Sequence, residues 1–253
     1  MNGHPLKVDI HEEQILENQK RWENKPLLRE IYRGFHELIA AQLSQNPNGK
    51  IVELGSGIGN IKETIPACLR TDLFPNPWLD QVENAYALSF ADQAVSDLIL
   101  FDVFHHFRYP GTALNEFLRV LQPGGRAIIF DPCISALGMI VYGLMHPEPV
   151  ASFRPVSWFA PSGWSPAETD YYAAQGNATR IFLGKNFASN LVDWKQKAAL
   201  RFSAISYIAS GGYSGPQLYP RSSLPLVKSV ESICDRFPFL FATRLLVVLE
   251  KRE

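Results

Sequence analysis

Cysteine is scarce in this chain: only Cys68, Cys133 and Cys234 occur, far apart and without a CxxC pair or a Cys/His cluster. That excludes a disulfide framework and the usual zinc motifs, and leaves reduced, mostly buried thiols as the expectation. Charge of one sign is also lacking, with 24 basic against 25 acidic residues. No net field draws in a polyanion, so nucleic-acid binding through the phosphate backbone is not expected. Long apolar runs are missing too. The longest, Ile134 to Met145, is about half of the ~20 residues a membrane span needs, so no stable membrane insertion is expected. Met1 to Glu17 alternates polar and apolar residues without the apolar core of a signal peptide, which makes the cytoplasm the expected compartment. Repeats, low-complexity tracts and a dividing linker are absent as well.

What is present is a globular composition, 46% hydrophobic and 19% charged over 253 residues. That is enough chain for one α/β domain of generous size. Leu27, Leu28, Ile31, Tyr32, Phe35, Leu38, Ile39 and Leu43 recur at helical spacing after Pro26, and Asn46-Pro47-Asn48-Gly49 ends the helix. A short helix around Trp22 is expected before it. Strands are predicted over Lys50 to Leu54, Cys68 to Phe74, Asp97 to Phe101 and Arg126 to Phe130. A helix is predicted from Ala113 to Leu121, broken by Pro123-Gly124-Gly125. This alternation implies a parallel sheet covered on both faces. Further on, Ser135 to Met145 reads as a buried or interfacial helix, and Pro147 to Pro166 as loop or cap. Asn186 to Lys197 reads as helix, Phe202 to Ala209 as strand, Leu224 to Phe237 as helix and Thr243 to Glu250 as strand.

The chemistry concentrates at Glu53-Leu54-Gly55-Ser56-Gly57-Ile58-Gly59, a glycine turn at the end of the first strand. Such a turn lets backbone approach a ligand closely. Its plain alternative is a packing turn. A dinucleotide fingerprint needs a glycine at the sixth position, where this chain has Asn60. Glu53, two residues before the first glycine, would repel a pyrophosphate but suits a ligand carrying an amine. A sulfonium cofactor with an amino-acid tail is favoured over NAD.

Over roughly Lys50 to Pro132 the sequence resembles the class I S-adenosylmethionine-dependent methyltransferases, especially the group that includes the ubiquinone and menaquinone methyltransferases. The resemblance implies a Rossmann-like, mostly parallel sheet flanked by helices. N-terminal helices and an aromatic-rich insertion after the fifth strand would form a cap. In that pattern Gly55, Ser56, Gly57 and Gly59 would line the cofactor, with Glu53 near its methionyl amine. Asp72, followed by Leu73, would hold the ribose hydroxyls; the short spacing from Gly59 implies a short first helix. Asn84 stands where the family has an aspartate reading the adenine amino group, and Ser89 where it has a proline. Ala85, Leu88 and Phe101 would pack beside the cofactor. The His105-His106 pair and Arg119-Val120-Leu121-Gln122-Pro123-Gly124-Gly125-Arg126 match the family closely.

The resemblance implies S-adenosylmethionine as cofactor, S-adenosylhomocysteine as product, and an in-line methyl transfer to a small molecule, apolar or prenylated among the options. Proximity and orientation in such a displacement are worth roughly 7–11 kcal/mol. A base is needed only if the acceptor must lose a proton. No catalytic residue is assigned; His106 is a candidate base, with His105, Asp170, Tyr171 and Tyr172 behind it. No metal is expected, because the chemistry requires none and no ligand cluster is visible in the sequence. The chain is read as one methyltransferase domain. Residues 1–48 form its helical cap, 49–132 its cofactor-binding core, 133–200 its substrate-cap insertion and 201–253 the end of the sheet. The competing functions are a cofactor-binding protein without transfer and an NAD-dependent oxidoreductase. Nucleobase amines are disfavoured as acceptors, because Phe101-Asp102-Val103-Phe104 lacks the Asn/Asp-Pro-Pro-aromatic motif of that chemistry.

Overall fold

The computed structural model describes residues 8–45, 48–146, 148–152 and 154–252, with side chains from residue 15 onward. Its helices are α1 (Val8–Asn24), α2 (Pro26–Ala40), α3 (Pro110–Val120), α4 (Ala136–Ile140), α5 (Asn177–Phe182), α6 (Ile205–Ala209), α7 (Leu224–Cys234) and α8 (Pro238–Phe241). Its strands are β1 (Lys50–Leu54), β2 (Leu69–Asp72), β3 (Gln81–Val82), β4 (Val95–Phe101), β5 (Leu121–Pro132), β6 (Trp194–Phe202) and β7 (Arg244–Lys251). They form one seven-stranded sheet of order β3-β2-β1-β4-β5-β7-β6. Strands β1 to β5 pair in parallel, while β7 runs antiparallel to both β5 and β6. This is the expected α/β, Rossmann-like architecture.

Period-two alternation divides each central strand between two cores. On β4, Leu98 and Leu100 face the layer that holds Leu114 and Phe117 of α3. Ile99 faces the opposite layer, where Leu27, Ile31, Phe35 and Ile39 of α2 pack. That second layer explains why the helix after the glycine turn can be so short. Only a 3-10 turn, Asn60–Glu63, follows Gly59. Its Ile61, with Ile65 and Cys68, joins the α2 layer, so α2 covers apolar sheet surface that a longer helix would otherwise bury. The buried Asp97 within β4 is satisfied by the Ser44 N–H and hydroxyl, at 2.7 and 2.8 Å.

Several expectations need correction. The Asn186 to Lys197 segment is not a helix: a 3-10 turn at Ala188–Leu191 leads into β6 at Trp194. The strand expected over Phe202 to Ala209 ends at Phe202, and Ile205–Ala209 is α6. Lys195-Gln196-Lys197-Ala198-Ala199-Leu200 are mostly helix formers, and pairing with β7 overrides that preference at the sheet edge. Ala204, at φ 46°, then ends the extended run. The short β3 and α5 were not anticipated, and α1 is longer than the short helix expected around Trp22. Ser135 to Met145 is helical, α4 continuing into a π-helical turn over Val141–Met145, but Leu144 and Met145 are 81% and 73% exposed. Residues 46 and 47 of the expected turn, residues 147 and 153 of the expected loop, and residues 1–7 of the N-terminal reading lie outside the described residues.

Candidate functional site

In an open parallel sheet, ligands bind at the C-terminal strand ends where the strand order reverses. Here that point lies between β1 and β4, because the chain moves outward from β1 to β3 and then returns to β4 on the other side. The glycine turn leaves β1 at this place. Gly55 and Gly57 both have positive φ, +70° and +52°, which a side chain rarely adopts. They differ in surroundings. A Cβ on Gly55 would lie 2.4 Å from Val103 Cγ2, whereas one on Gly57 would meet nothing within 4 Å. Gly55 is thus required by packing, and Gly57 opens onto free space.

Ser56 ties the turn to β2: its N–H donates to the Thr71 carbonyl at 2.8 Å and its hydroxyl accepts from the Thr71 N–H at 3.0 Å. The Gly59 N–H closes the turn on the Ser56 carbonyl at 2.8 Å. Asp72, at the end of β2, accepts from the Gly57 N–H at 3.1 Å and from the Phe74 N–H at 3.3 Å. The fold therefore brings the glycine turn and the predicted ribose carboxylate into direct contact. Glu53, one residue before the end of β1, is buried, and its Oε2 has no hydrogen-bond partner. Burial raises its pKa to about 7, helped by the nearby Asp72 and opposed by Ser56.

The segment after β3 is held differently. Arg119 on α3 pairs with Glu116 and donates to the Phe90 and Leu88 carbonyls, while Glu116 accepts from the Leu88 N–H at 2.8 Å. Glu83, unremarked in the sequence, accepts from the Ser89 N–H at 2.8 Å and from the Ser89 hydroxyl. Asn84 directs its amide nitrogen to the Pro166 carbonyl and Thr169 Oγ1, at 2.9 and 3.2 Å, and its oxygen accepts from the Tyr86 N–H. Ala85 and Leu88 belong to the α3 core layer, Leu88 fully inside it. Leu73 is half-buried beside Asp72. The Phe101 ring stacks on Phe130 and Tyr32, toward α2.

Beyond β4, Asp102 takes a left-handed φ of 57° and pairs with the buried Arg244. His105 and His106 follow, and the fold supplies each with unforeseen partners. His105 Nδ1 lies 2.9 Å from Asp131 Oδ1, and its Nε2 lies 3.3 Å from Glu148 Oε2. His106 Nδ1 lies 2.8 Å from the Tyr172 carbonyl, and its Nε2 is 3.7 Å from Glu148 Oε1. Tyr171 donates its hydroxyl to Glu148 at 2.6 Å. Asp170 instead forms an exposed pair with Arg108. Burial pulls the His105 pKa down, but Asp131 and Glu148 outweigh it and hold the ring at about 10. Burial and the charge of His105 lower the pKa of His106. His105, His106 and Glu148 offer ligand atoms within 4.8 Å of one another, a grouping invisible in the sequence, where no ligand cluster was expected. The only local signal was a glutamate flanked by Pro147 and Pro149.

Residues 53–129 match the family model described as a methyltransferase domain. No curated protein matches the chain. Among solved structures, a methyltransferase from Thermotoga maritima, described as a possible histamine N-methyltransferase, is similar at 13% identity and a TM-score of 0.53, over 94% of this chain and 99% of that one. A geranyl diphosphate C-methyltransferase from Streptomyces coelicolor A3(2) is similar at 12% identity and a TM-score of 0.49, over 86% of this chain and 78% of that one. At these identities the likeness is one of fold. The matched core, residues 53–129, is the part of the fold that holds the glycine turn joined to Asp72, so the likeness to a methyltransferase domain falls on the candidate site itself.

Proposed function

We propose that this protein transfers the methyl group of S-adenosylmethionine to a small-molecule acceptor by in-line displacement. The single observation that carries the reading is Glu53, a buried carboxylate with an unpartnered oxygen on the strand that runs into the glycine turn. A buried charge without a partner is costly, and a ligand ammonium offsets that cost. In this reading Glu53 holds the amino-acid amine, and the backbone of Gly55, Ser56, Gly57 and Gly59 lies along the ligand. Asp72 retains lone pairs for the ribose hydroxyls beyond those used by the Gly57 and Phe74 N–H groups. Leu73, Ala85, Leu88 and Phe101 supply apolar contacts or support, and Asn84 Oδ1 can accept a second donor from the adenine edge.

The sulfonium supplies an already activated methyl, so the protein's part is to orient the acceptor and exclude water. Tyr86, Tyr109 and Trp164 cluster edge-to-face where the 150–170 segment meets the residues after β3 and β4, which supports an apolar acceptor. The division into helical cap, cofactor core, substrate cap and terminal sheet segment is part of the same proposal, as is a cytoplasmic location. Among the described residues no helix is long and apolar enough to cross a membrane.

Calorimetry with S-adenosylhomocysteine tests the reading. Wild-type protein is expected to bind it, and Asp72→Ala to lose at least about tenfold in affinity, since hydrogen bonds to charged groups are worth ~1.5–3 kcal/mol. Thermal stabilisation by NAD but not by S-adenosylhomocysteine would overturn it in favour of an oxidoreductase. Tight cofactor binding without transfer of labelled methyl to any extract component would favour a binding protein.

A further inference from the structure

We propose that His105, His106 and Glu148 form a binding site for one divalent transition-metal ion, zinc foremost. Two imidazoles and one carboxylate suit zinc and its neighbours in the first row, and three protein ligands leave a position open for water or another ligand. Bonds of about 2.0–2.1 Å in a tetrahedron place ligand atoms ~3.3 Å apart. Glu148 presents one oxygen to each ring, at 3.3 Å from His105 Nε2 and 3.7 Å from His106 Nε2.

The shell behind these atoms is already arranged for coordination. A ligating histidine donates its other ring N–H to a carboxylate or carbonyl, which sets the tautomer and aims the free nitrogen. Both rings make that contact here, His105 to Asp131 at 2.9 Å and His106 to the Tyr172 carbonyl at 2.8 Å, and the ion takes the place of the Nε2 proton that His105 otherwise directs at Glu148, releasing it to solvent. Glu148 is oriented by the Tyr171 hydroxyl at 2.6 Å and the Gln175 amide at 2.5 Å. Asp131 and His105 are 0% and 3% exposed, whereas His106 keeps 31% of its side-chain surface, so the deep ligand is rigid and the outer one gives an ion access. A buried ion pair alone would require His105 and its two carboxylates, but not a second imidazole turned to the same glutamate.

The test uses the full chain, stripped with chelator and titrated with zinc and, separately, cobalt. One equivalent is expected to bind at micromolar concentration, and cobalt to give the visible absorption of a four- or five-coordinate ion. His106→Ala and Glu148→Gln should each weaken zinc binding by more than about tenfold, since loss of a contact that merely supports a ligand already costs ~10–100-fold, while Cys234→Ser leaves it unchanged. Circular dichroism and unfolding temperature of the metal-free variants establish that they fold; His106→Ala, at the partly exposed ring, is the variant expected to be mildest. Absence of binding to folded wild-type protein, or binding that survives both substitutions, overturns the proposal. S-Adenosylhomocysteine affinity is measured separately, so failure of the metal site and failure of methyl transfer remain distinct outcomes.

Discussion

Two acidic sites, one buried and one partly buried, lie near the C-terminal ends of the parallel strands, and they answer the cost of burying charge in opposite ways. Glu53, at the end of β1, has an oxygen without a partner, and burial raises its pKa to about 7. Glu148, beside the β4 and β5 ends, is also pushed up by burial, but its contacts with His105 and His106 prevail and hold it well below the usual carboxylate range. Its histidine partner reaches about 10. The second site is compensated in charge by its own histidines, although Asp131 Oδ2, like Glu53 Oε2, has no hydrogen-bond partner. The first has no opposite charge of its own hydrogen-bonded to that oxygen, the feature on which the proposed ammonium contact rests.

The largest expected effect lies at the compensated site. Asp131→Ala removes one partner of a buried pair, and such losses cost ~3–5 kcal/mol, measurable by urea unfolding at neutral pH. Glu53→Gln, by contrast, should leave the ligand-free protein as stable or more so, because an uncompensated carboxylate is replaced by a neutral amide. Equal destabilisation by the two would break the contrast. The sign for His105 follows from its raised pKa. The pair's stabilisation is complete below the ordinary value of 6.5 and fades as pH rises through about 10, so the Asp131→Ala deficit should shrink over that range.

A smaller effect sharpens the open site. In the proposed reading Glu53 holds an ammonium only as a carboxylate, and a pKa near 7 leaves it mostly protonated in mild acid. Affinity for S-adenosylhomocysteine, followed by calorimetry, should fall about tenfold from pH ~8 to pH ~6, and Glu53→Gln should flatten that profile. Without ligand the sign reverses. A raised acid pKa favours folding below the ordinary 4.5, and that contribution is lost as pH rises through about 7. The smallest effect concerns the bridge between the two regions. Asn84→Ala removes the amide contacts to Pro166 and Thr169, at roughly 1 kcal/mol, and should appear as faster hydrogen exchange around residues 166–169.

The parallel half of the molecule was legible because its signals are local. Lys50-Ile51-Val52-Glu53-Leu54 is an apolar run stopped by glycine, and β1 has these same bounds. The short spacing from Gly59 to Asp72 announced the reduced helix that the 3-10 turn at Asn60–Glu63 fulfils. Beyond Pro132 the signals are weaker. β6 carries helix-favouring lysines and alanines and is extended only because β7 offers a free edge. Glu148 escaped notice because its meaning comes from His105, more than forty positions earlier in the chain.

The amino-acid sequence by itself determined the glycine turn, the run of buried strands and the acidic residues at the ends of β1 and β2, since these depend on neighbours a few positions away. Tertiary structure alone decided that Gly57 is open while Gly55 is packed, that Glu53 lacks a partner, and that two histidines converge on one glutamate. Burial and through-space contact set those properties, and neither is written in local spacing.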